Sequence, residues 1–406
     1  MHPVILYDDA VARRFEPFAT TRPGGELRAG ALLVRERWAH VLGMPATGFL
    51  SAPHLRGFSE FDSPPPSDGE LAAGTWLVNA RALPMLDARP STASAILIGG
   101  RVAAARLAEP VPASQLASEA FALEEVVPAS GMMMSVEGVW LDAVWDLVAH
   151  LTPLLLRDIP VLARAIGATR VEATSGIVIT GEHGVWAEEG AIIEPMSFFD
   201  TTSGPVLLRR RAQVQAFTRV IGPVYVGVDS TITTDRIAGS SIGDTCRVHG
   251  ELSATILIGH ANKGHDGFVG HSVLGRWVNL GAGTITSNLK NTYGSVSLWT
   301  PDGVRDTRQQ FLGTLFGDHV KTGIGSRLTT GCVLGAGANV YDRMPPKAVA
   351  PFSWGGGTPY DTFDARKFVD TAARMMARRG VALSDESKQW WETVHAVACA
   401  DTRWPR

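Results

Sequence analysis

The stretch from His260 to Asn288, HANKGHDGFVGHSVLGRWVNLGAGTITSN, joins a six-residue period to a small set of polar side chains. Phe268, Leu274 and Leu280 stand six apart, glycine follows the last two, and His265 falls on a turn between repeats. The same period runs outward in both directions: Ile179, Val185 and Ala191; Leu208, Val214, Val220, Val226 and Ile232; and Ile324, Thr330 and Ala336, with Leu328, Leu334 and Val340 four residues further on. An aliphatic residue every six positions, often followed by glycine, describes a β-helix of short parallel strands in which three hexads close one triangular coil. The aliphatic residues are expected to point into the coil, and glycines to supply the positive-φ corners. A region of this length has room for roughly nine coils. The period breaks over residues 287–316, where a loop inserted at a coil corner is expected to carry binding residues.

The remainder of the 406 residues brackets this solenoid. Residues 1–138 alternate strand and helix patterns and predict an α/β domain: the apolar run Val4–Leu6, a helix within ALLVRERWAHVLG stopped at Gly43, a strand in TWLVNARALP, and a hairpin turning at Gly99 and Gly100. Residues 139–175 are apolar and helix-prone and predict a helical connector, divided in two by Pro160. The solenoid is expected over 176–345. Residues 346–406 begin with the turn-rich PFSWGGGTPYD and then predict two helices, the second opened by Ser384, packing as a cap on the solenoid's end.

Composition excludes several classes. Apolar residues make up 45% and charged residues 19%, enough for a large core, and a net charge of −3 argues against nucleic acid as a main partner. Cys246, Cys332 and Cys399 have no metal-like spacing. The N-terminus does not read as a signal peptide and no apolar run approaches the ~20 residues of a membrane span, so a cytoplasmic protein without membrane contact is expected.

His265 can serve as a general base at neutral pH. Asn279 and Asn288 are amides fixed at strand ends, able to orient a sugar or a carbonyl. Lys263 and Lys290 offer positive charge for a phosphate, and the glycine-flanked Ala282 can turn a backbone N–H toward a thioester oxygen. KGHDGFVG followed by VNLGAGTITSN resembles the acetyltransferase half of the bifunctional GlmU family, which acetylates glucosamine 1-phosphate and then attaches UMP. Over nearly the whole chain PFATTRP (17–23), TTSGP (201–205), NKGHDGF (262–268), SNLKN (287–291) and FSWGG (352–356) resemble a divergent subgroup of sugar nucleotidyltransferases.

This resemblance implies a nucleotidyltransferase-like domain, a helical connector and a left-handed β-helix that forms a homotrimer. It implies His265 as base, Asn279 and Asn288 holding sugar or acetyl group, Glu251 and Phe268 contacting substrate, and Ala282 with Ala336 facing acetyl-CoA. Three departures stand out: Phe268 replaces a tyrosine, Ser253 a phosphate-binding lysine, and Ile324 a serine that assists the reaction. The first strand is followed by YDDAVARRF in place of a glycine-rich phosphate loop, leaving Arg14, Arg22 and Arg28 as candidate nucleotide ligands and Asp8 or Asp9 as candidates for Mg2+.

Four readings follow: an acyl-CoA-dependent transferase acting on an amino sugar, sugar phosphate or nucleotide sugar; a sugar-1-phosphate nucleotidyltransferase using UTP or dTTP, with the solenoid for assembly; a zinc lyase built on His260, His265, His271, His249 or His319; and an inactive solenoid. No resident metal is expected in the acyltransferase reading.

Overall fold

The computed structural model describes residues 3–90, 92–129 and 131–405. Six strands form the N-terminal sheet: β1 (Val4–Tyr7), β2 (Gly48–Leu50), β3 (Trp76–Asn79), β4 (Ala95–Ile98), β5 (Arg101–Arg106) and β6 (Met133–Ser135), in the order β6-β4-β5-β3-β1-β2. β1 is buried along its length and pairs in parallel with β2 on one side and β3 on the other, which is why its sequence is an unbroken apolar run. β4 and β5 make the expected hairpin, with Gly99 and Gly100 both at positive φ in the turn. Helix α1 (Val34–Leu42) ends at Gly43 as expected, while Leu32–Leu33 pairs with Arg28–Ala29 as a short ribbon.

The connector departs from expectation at Pro160. Helix α2 (Leu151–Ala165) runs through it, and the helical break falls nearly three turns earlier, at His150. The exposed proline removes one backbone hydrogen bond, whereas Leu151, Leu154, Leu155, Ile159 and Leu162 bury the opposite side of the helix and hold it straight.

The repeat region is a three-faced solenoid. Its long face has ten strands, all but the first parallel; a second face has six and a third has five. The inward positions match the hexads at Leu208, Val214, Val220, Val226 and Ile232, each fully buried. Two assignments shift. Phe268 faces outward in register with Glu251, and Val269 is the residue that fills the coil; Ile324 is 84% exposed, and Leu328, Leu334 and Val340 are the inward series. The solenoid also continues through strands at Ala348–Val349 and Ser353–Gly355, inside the segment expected to be a loop.

Glycine makes only some of the corners. Along one edge the left-handed position is held mostly by other residues, Arg211, Asp229, Thr245, His260, Trp277, His319 and Phe352, with φ between 53° and 63°, and by Gly337 between the last two. A non-glycine residue there costs about 1–2 kcal/mol, and packing offsets it: the rings of His260 and Trp277 stand 4.4 Å apart, and Phe61 stacks on His260 at 4.3 Å.

The C-terminal helices α3 (Ala365–Ala377) and α4 (Asp385–Ala400) lie against this edge rather than over the end of the coil. Trp391 of α4 packs edge-on to His319, and Trp390 donates its indole N–H to the His54 carbonyl of the N-terminal domain. Ser384 caps α4 through the Ser387 N–H. The insertion carries a hairpin, Ser297–Thr300 with Gly303–Asp306, whose Trp299 stacks on Trp404 and whose Val296 and Leu298 are fully buried. A single apolar core joins the N-terminal sheet, α2 and the outward side chains of the long face, among them Leu207, Tyr225, Ile256, Val273 and Leu315.

Candidate functional site

The second edge of the solenoid differs from the first in being open. Three turns stack along it: His265-Asp266-Gly267, Gly281-Ala282-Gly283 and Gly323-Ile324-Gly325, tied by Gly283 N–H to the Asp266 carbonyl at 3.2 Å and Gly325 N–H to the Ala282 carbonyl at 2.8 Å. The glycines are required by proximity as well as by φ. A Cβ on Gly281 would sit 2.5 Å from the Gly323 carbonyl oxygen, and Gly283 has φ +68°. His265 is exposed, and among the described residues the Ala282 N–H has no hydrogen-bond partner. A base and an unclaimed amide therefore sit on adjacent coils of one edge.

Beside them on the second face, Glu251 pairs in register with Phe268 and accepts from Arg236 at 2.9 Å. Asn288 stands at the far end of that face, where its amide meets His271 Nδ1 at 2.8 Å. Asn279 lies on the third face, accepting from Asn262 at 2.7 Å, and opens onto a cleft shared with Arg378 and Arg379, just past the end of α3. Within one chain the structure thus brings together His265, Ala282, Glu251 and Phe268, sets Asn288 beside the Phe268 ring at Gly270, and holds Asn279 apart on the third face. Asn262, His271 and Arg236 are the partners that sequence reasoning missed. The asparagine pair leaves one signal: Asn262 and Asn279 bridge each other at the same place in successive coils.

Several candidates are corrected. Lys263 points into the coil, 2% exposed, with its ammonium held by the carbonyls of His249, at 2.7 Å, and His265; burial pushes its pKa down to about 8. It caps interior carbonyls and does not face a phosphate. Lys290 donates to the Ser295 carbonyl and ties the insertion together. Ala336 is fully buried on the covered edge, between Gly317 and Phe352, away from any acyl donor at Ala282.

Of the arginines, Arg14 pairs with Asp302 at 2.6 Å on the surface. Arg22 is buried against Asp318 (2.8 Å) and Glu60 (3.2 Å), and the neighbouring Thr21 hydroxyl donates to the same Asp318. Arg28 is spent on the carbonyls of Ala31 and Ile258. The PFATTRP and PGGELR segments thus fasten the first domain to the solenoid instead of offering cations to a nucleotide.

The carboxylates considered for Mg2+ do not fit it. Asp8 takes the Gly24 N–H and the Ser51 hydroxyl, and burial raises its pKa to about 6; Asp9 is held by Arg81 and Asn79. Nor can the histidines considered for zinc meet within the chain: His260 is on the covered edge, His265 on the open one and His271 on the third. Among the described residues no cluster of three or more His, Cys, Asp or Glu has metal-binding geometry.

The N-terminal domain has a site of its own shape. β1 lies between β2 and β3, so the chain leaves it to opposite sides, and the carboxyl ends of these strands are where open α/β sheets bind ligands. A cavity of about 430 Å3 opens there, lined by Leu50, Ser51, Arg56, Ser67, Asp68 and Ser114 among others.

Residues 4–165 match the family model described as sugar nucleotidyl transferase. The bifunctional protein GlmU of Cyanothece sp. (strain PCC 7425 / ATCC 29141) is 28% identical over 212 residues, covering 46% of this chain and 42% of that protein. The bifunctional sugar-1-phosphate nucleotidylyltransferase/acetyltransferase of Sulfurisphaera tokodaii is 31% identical over 91 residues, 22% of this chain and 23% of that one. Among solved structures, UDP-N-acetylglucosamine acyltransferase from Campylobacter jejuni is similar at 14% identity over 55% of this chain and 95% of its own, with a TM-score of 0.23, too low to bear on the fold. The chain spans less than half the length of the curated relatives it matches.

Proposed function

We propose that this chain, a divergent GlmU-like relative, is an acyl-coenzyme A-dependent transferase acting on an amino sugar, sugar phosphate or nucleotide sugar. The observation that carries the reading is the open edge, where an exposed His265 and the unclaimed Ala282 N–H occupy successive coils. His265 takes the proton of the attacking amine or hydroxyl as its lone pair engages the acyl carbon. The Ala282 N–H receives the negative charge that grows on the carbonyl oxygen, and needs no reorganisation to do so because the coil fixes it. Acetyl-CoA would supply the acyl group and leave as the thiol. Glu251, beside Phe268, accepts hydrogen bonds from acceptor hydroxyls. Because Phe268 carries no phenol and Ser253 no ammonium, the acceptor differs in its polar contacts from glucosamine 1-phosphate.

Asn279 lies on another face of the coil, so a pocket that includes it calls for a neighbouring copy, and a homotrimer is part of the proposal. Exposed Val178, Ile192, Met196 and Phe217 on the first coils support it, since they leave an apolar strip uncovered on the solenoid flank away from the first domain. A cytoplasmic location is part of the same proposal; among the described residues no helix is long and apolar enough to cross a membrane.

A second reading, a sugar-1-phosphate nucleotidyltransferase using UTP or dTTP, is favoured by the family match over 4–165 and by the cavity at the strand ends. One experiment addresses both. The protein is incubated with acetyl-CoA and a panel of amino sugars and sugar 1-phosphates, with and without nucleoside triphosphate. Free thiol released with an acceptor supports acyl transfer; pyrophosphate released with UTP or dTTP supports nucleotidyl transfer; neither product with any acceptor overturns both.

A further inference from the structure

At the amino end of the N-terminal sheet, opposite the strand ends just discussed, a cleft of about 260 Å3 is lined by His40, Leu42, Trp76, Arg89 and Arg106 together with the start of the loop after α1. Three of its polar side-chain atoms are unusual in being left without partners. The Trp76 indole N–H, the Arg106 Nε–H and His40 Nε2 are all buried, and none has a hydrogen bond to a described residue, although Trp76 is only 1% exposed. Buried polar groups in folded proteins are almost always satisfied, so two donors and one acceptor left unpaired along one cleft call for a ligand.

The register explains how they converge. Trp76 opens β3 and Arg106 closes β5, directly opposite it, with the guanidinium 4.9 Å from the indole ring. Arg106 forms no ion pair with a described residue, and Arg89 is bonded only to the carbonyls of Leu86 and Ala88. Among the described residues no carboxylate lines the cleft. Its other wall is the C-terminus of α1, whose cap closes on the Ala39 carbonyl and leaves the carbonyls beyond it without helical partners. His40 is kept neutral by burial and by the nearby Arg89, and its hydrogen bond to the Leu86 carbonyl leaves Nε2 as an acceptor.

We propose that this cleft binds a small hydroxylated anion, with Arg106, Arg89 and the Trp76 indole N–H holding its phosphate or carboxylate, and His40 Nε2 with the α1 carbonyls taking its hydroxyls. Two cations without a counter-carboxylate select the anionic group, and acceptors on the facing wall select hydroxyls over a bare ion. The site is separate from both the open solenoid edge and the strand-end cavity, so it stands whether or not either reading of the activity holds.

The test is titration calorimetry of the full chain with inorganic phosphate, glucose 1-phosphate and gluconate, repeated on Arg106→Gln and Trp76→Phe, with the indole N–H resonance lost in Trp76→Phe followed by NMR in the wild type. Expected is saturable binding of glucose 1-phosphate or gluconate at least tenfold tighter than of inorganic phosphate. The Trp76 indole resonance shifts on addition. Affinity falls tenfold or more in Arg106→Gln and severalfold in Trp76→Phe. Whichever of the two organic anions binds identifies the acidic group. Arg89→Gln replaces Arg106→Gln if the latter does not melt like the wild type. A resonance that does not move with any of the three, or affinities unchanged in the variants, overturns the site.

Discussion

Two edges of the same solenoid carry histidines at coil corners and use them in opposite ways. On the covered edge His260 and His319 sit in left-handed backbone, stacked with Trp277 and Phe61 and roofed by α3 and α4. Burial lowers the pKa of His260 to about 3 and that of His319 well below its ordinary value, with nearby Arg276 and Lys321 pushing the same way. On the open edge His265 meets water, and the turns above it present an amide and the exposed Ile324. The residue type is shared; what covers the corner decides whether the imidazole is packing or chemistry.

The sharpest break of this contrast is catalytic. His265→Ala is expected to lower acyl transfer by about 10²–10⁴-fold while leaving the melting curve unchanged, and His319→Ala to do the reverse; initial rates and thermal melts of the pair measure it. Equal loss of stability in both would remove the distinction between the edges.

Next in size is the tie beneath the covered edge. Asp318→Ala leaves Arg22 buried beside Glu60 alone, and an unbalanced buried charge is expected to cost about 3–5 kcal/mol in urea unfolding, whereas the exposed pair of Arg14 with Asp302 is worth under about 1 kcal/mol in the same experiment.

Acid sharpens the comparison further. A histidine held neutral in the fold binds fewer protons than its unfolded counterpart, so stability is lost as pH falls below about 6.5, at up to about 1.4 kcal/mol per pH unit for each such ring. For His260 that loss runs down toward its folded value of about 3. Asp8 and Glu16, raised by burial to about 6 and about 7, act in the other direction: the stability they contribute is present at low pH and is lost as pH rises through those values. The difference between wild type and His319→Gln isolates the ring. The variant's unfolding free energy is expected to fall less steeply between pH 6.5 and 5, and parallel curves would mean that His319 is charged in the fold.

The smallest effect belongs to Ile324→Ser. At 84% exposure it is expected to change stability by no more than about 0.5 kcal/mol, and to raise turnover a fewfold by restoring a hydroxyl next to Ala282, as initial rates would show.

Much of this was legible in the chain. A period of six names a solenoid because side chains at Leu208, Val214 and Val220 must all face one interior, and no other common architecture repeats at that interval. His265 and the GAG turn could be found because they lie on consecutive repeats. Facing direction was harder where two apolar residues adjoin: Phe268 and Val269 both satisfy the pattern, and only strand register sends the phenyl outward. The buried roles of Arg22, Arg28 and Lys263 were illegible for another reason. A cation in sequence looks like an exposed one, while Asp318 at Arg22 and the Ile258 carbonyl at Arg28 come from more than two hundred residues away, and the carbonyls that hold Lys263 meet only inside the coil. Aromatic corners escaped notice because left-handed backbone is expected of glycine, while here stacking across coils makes up its cost.

The continuous core that runs from the first sheet through α2 to the long face also governs how this molecule can be taken apart. Cutting the chain ahead of the solenoid would strip Leu207, Tyr225, Ile256, Val273 and Leu315 bare at once, a greasy wall that water would drive into aggregation. Neither half is a portable module. Heated in a calorimeter, the chain should absorb its unfolding enthalpy in one peak, and any motion linking its two candidate pockets must be carried by side chains and loops, because the halves have no seam along which to hinge.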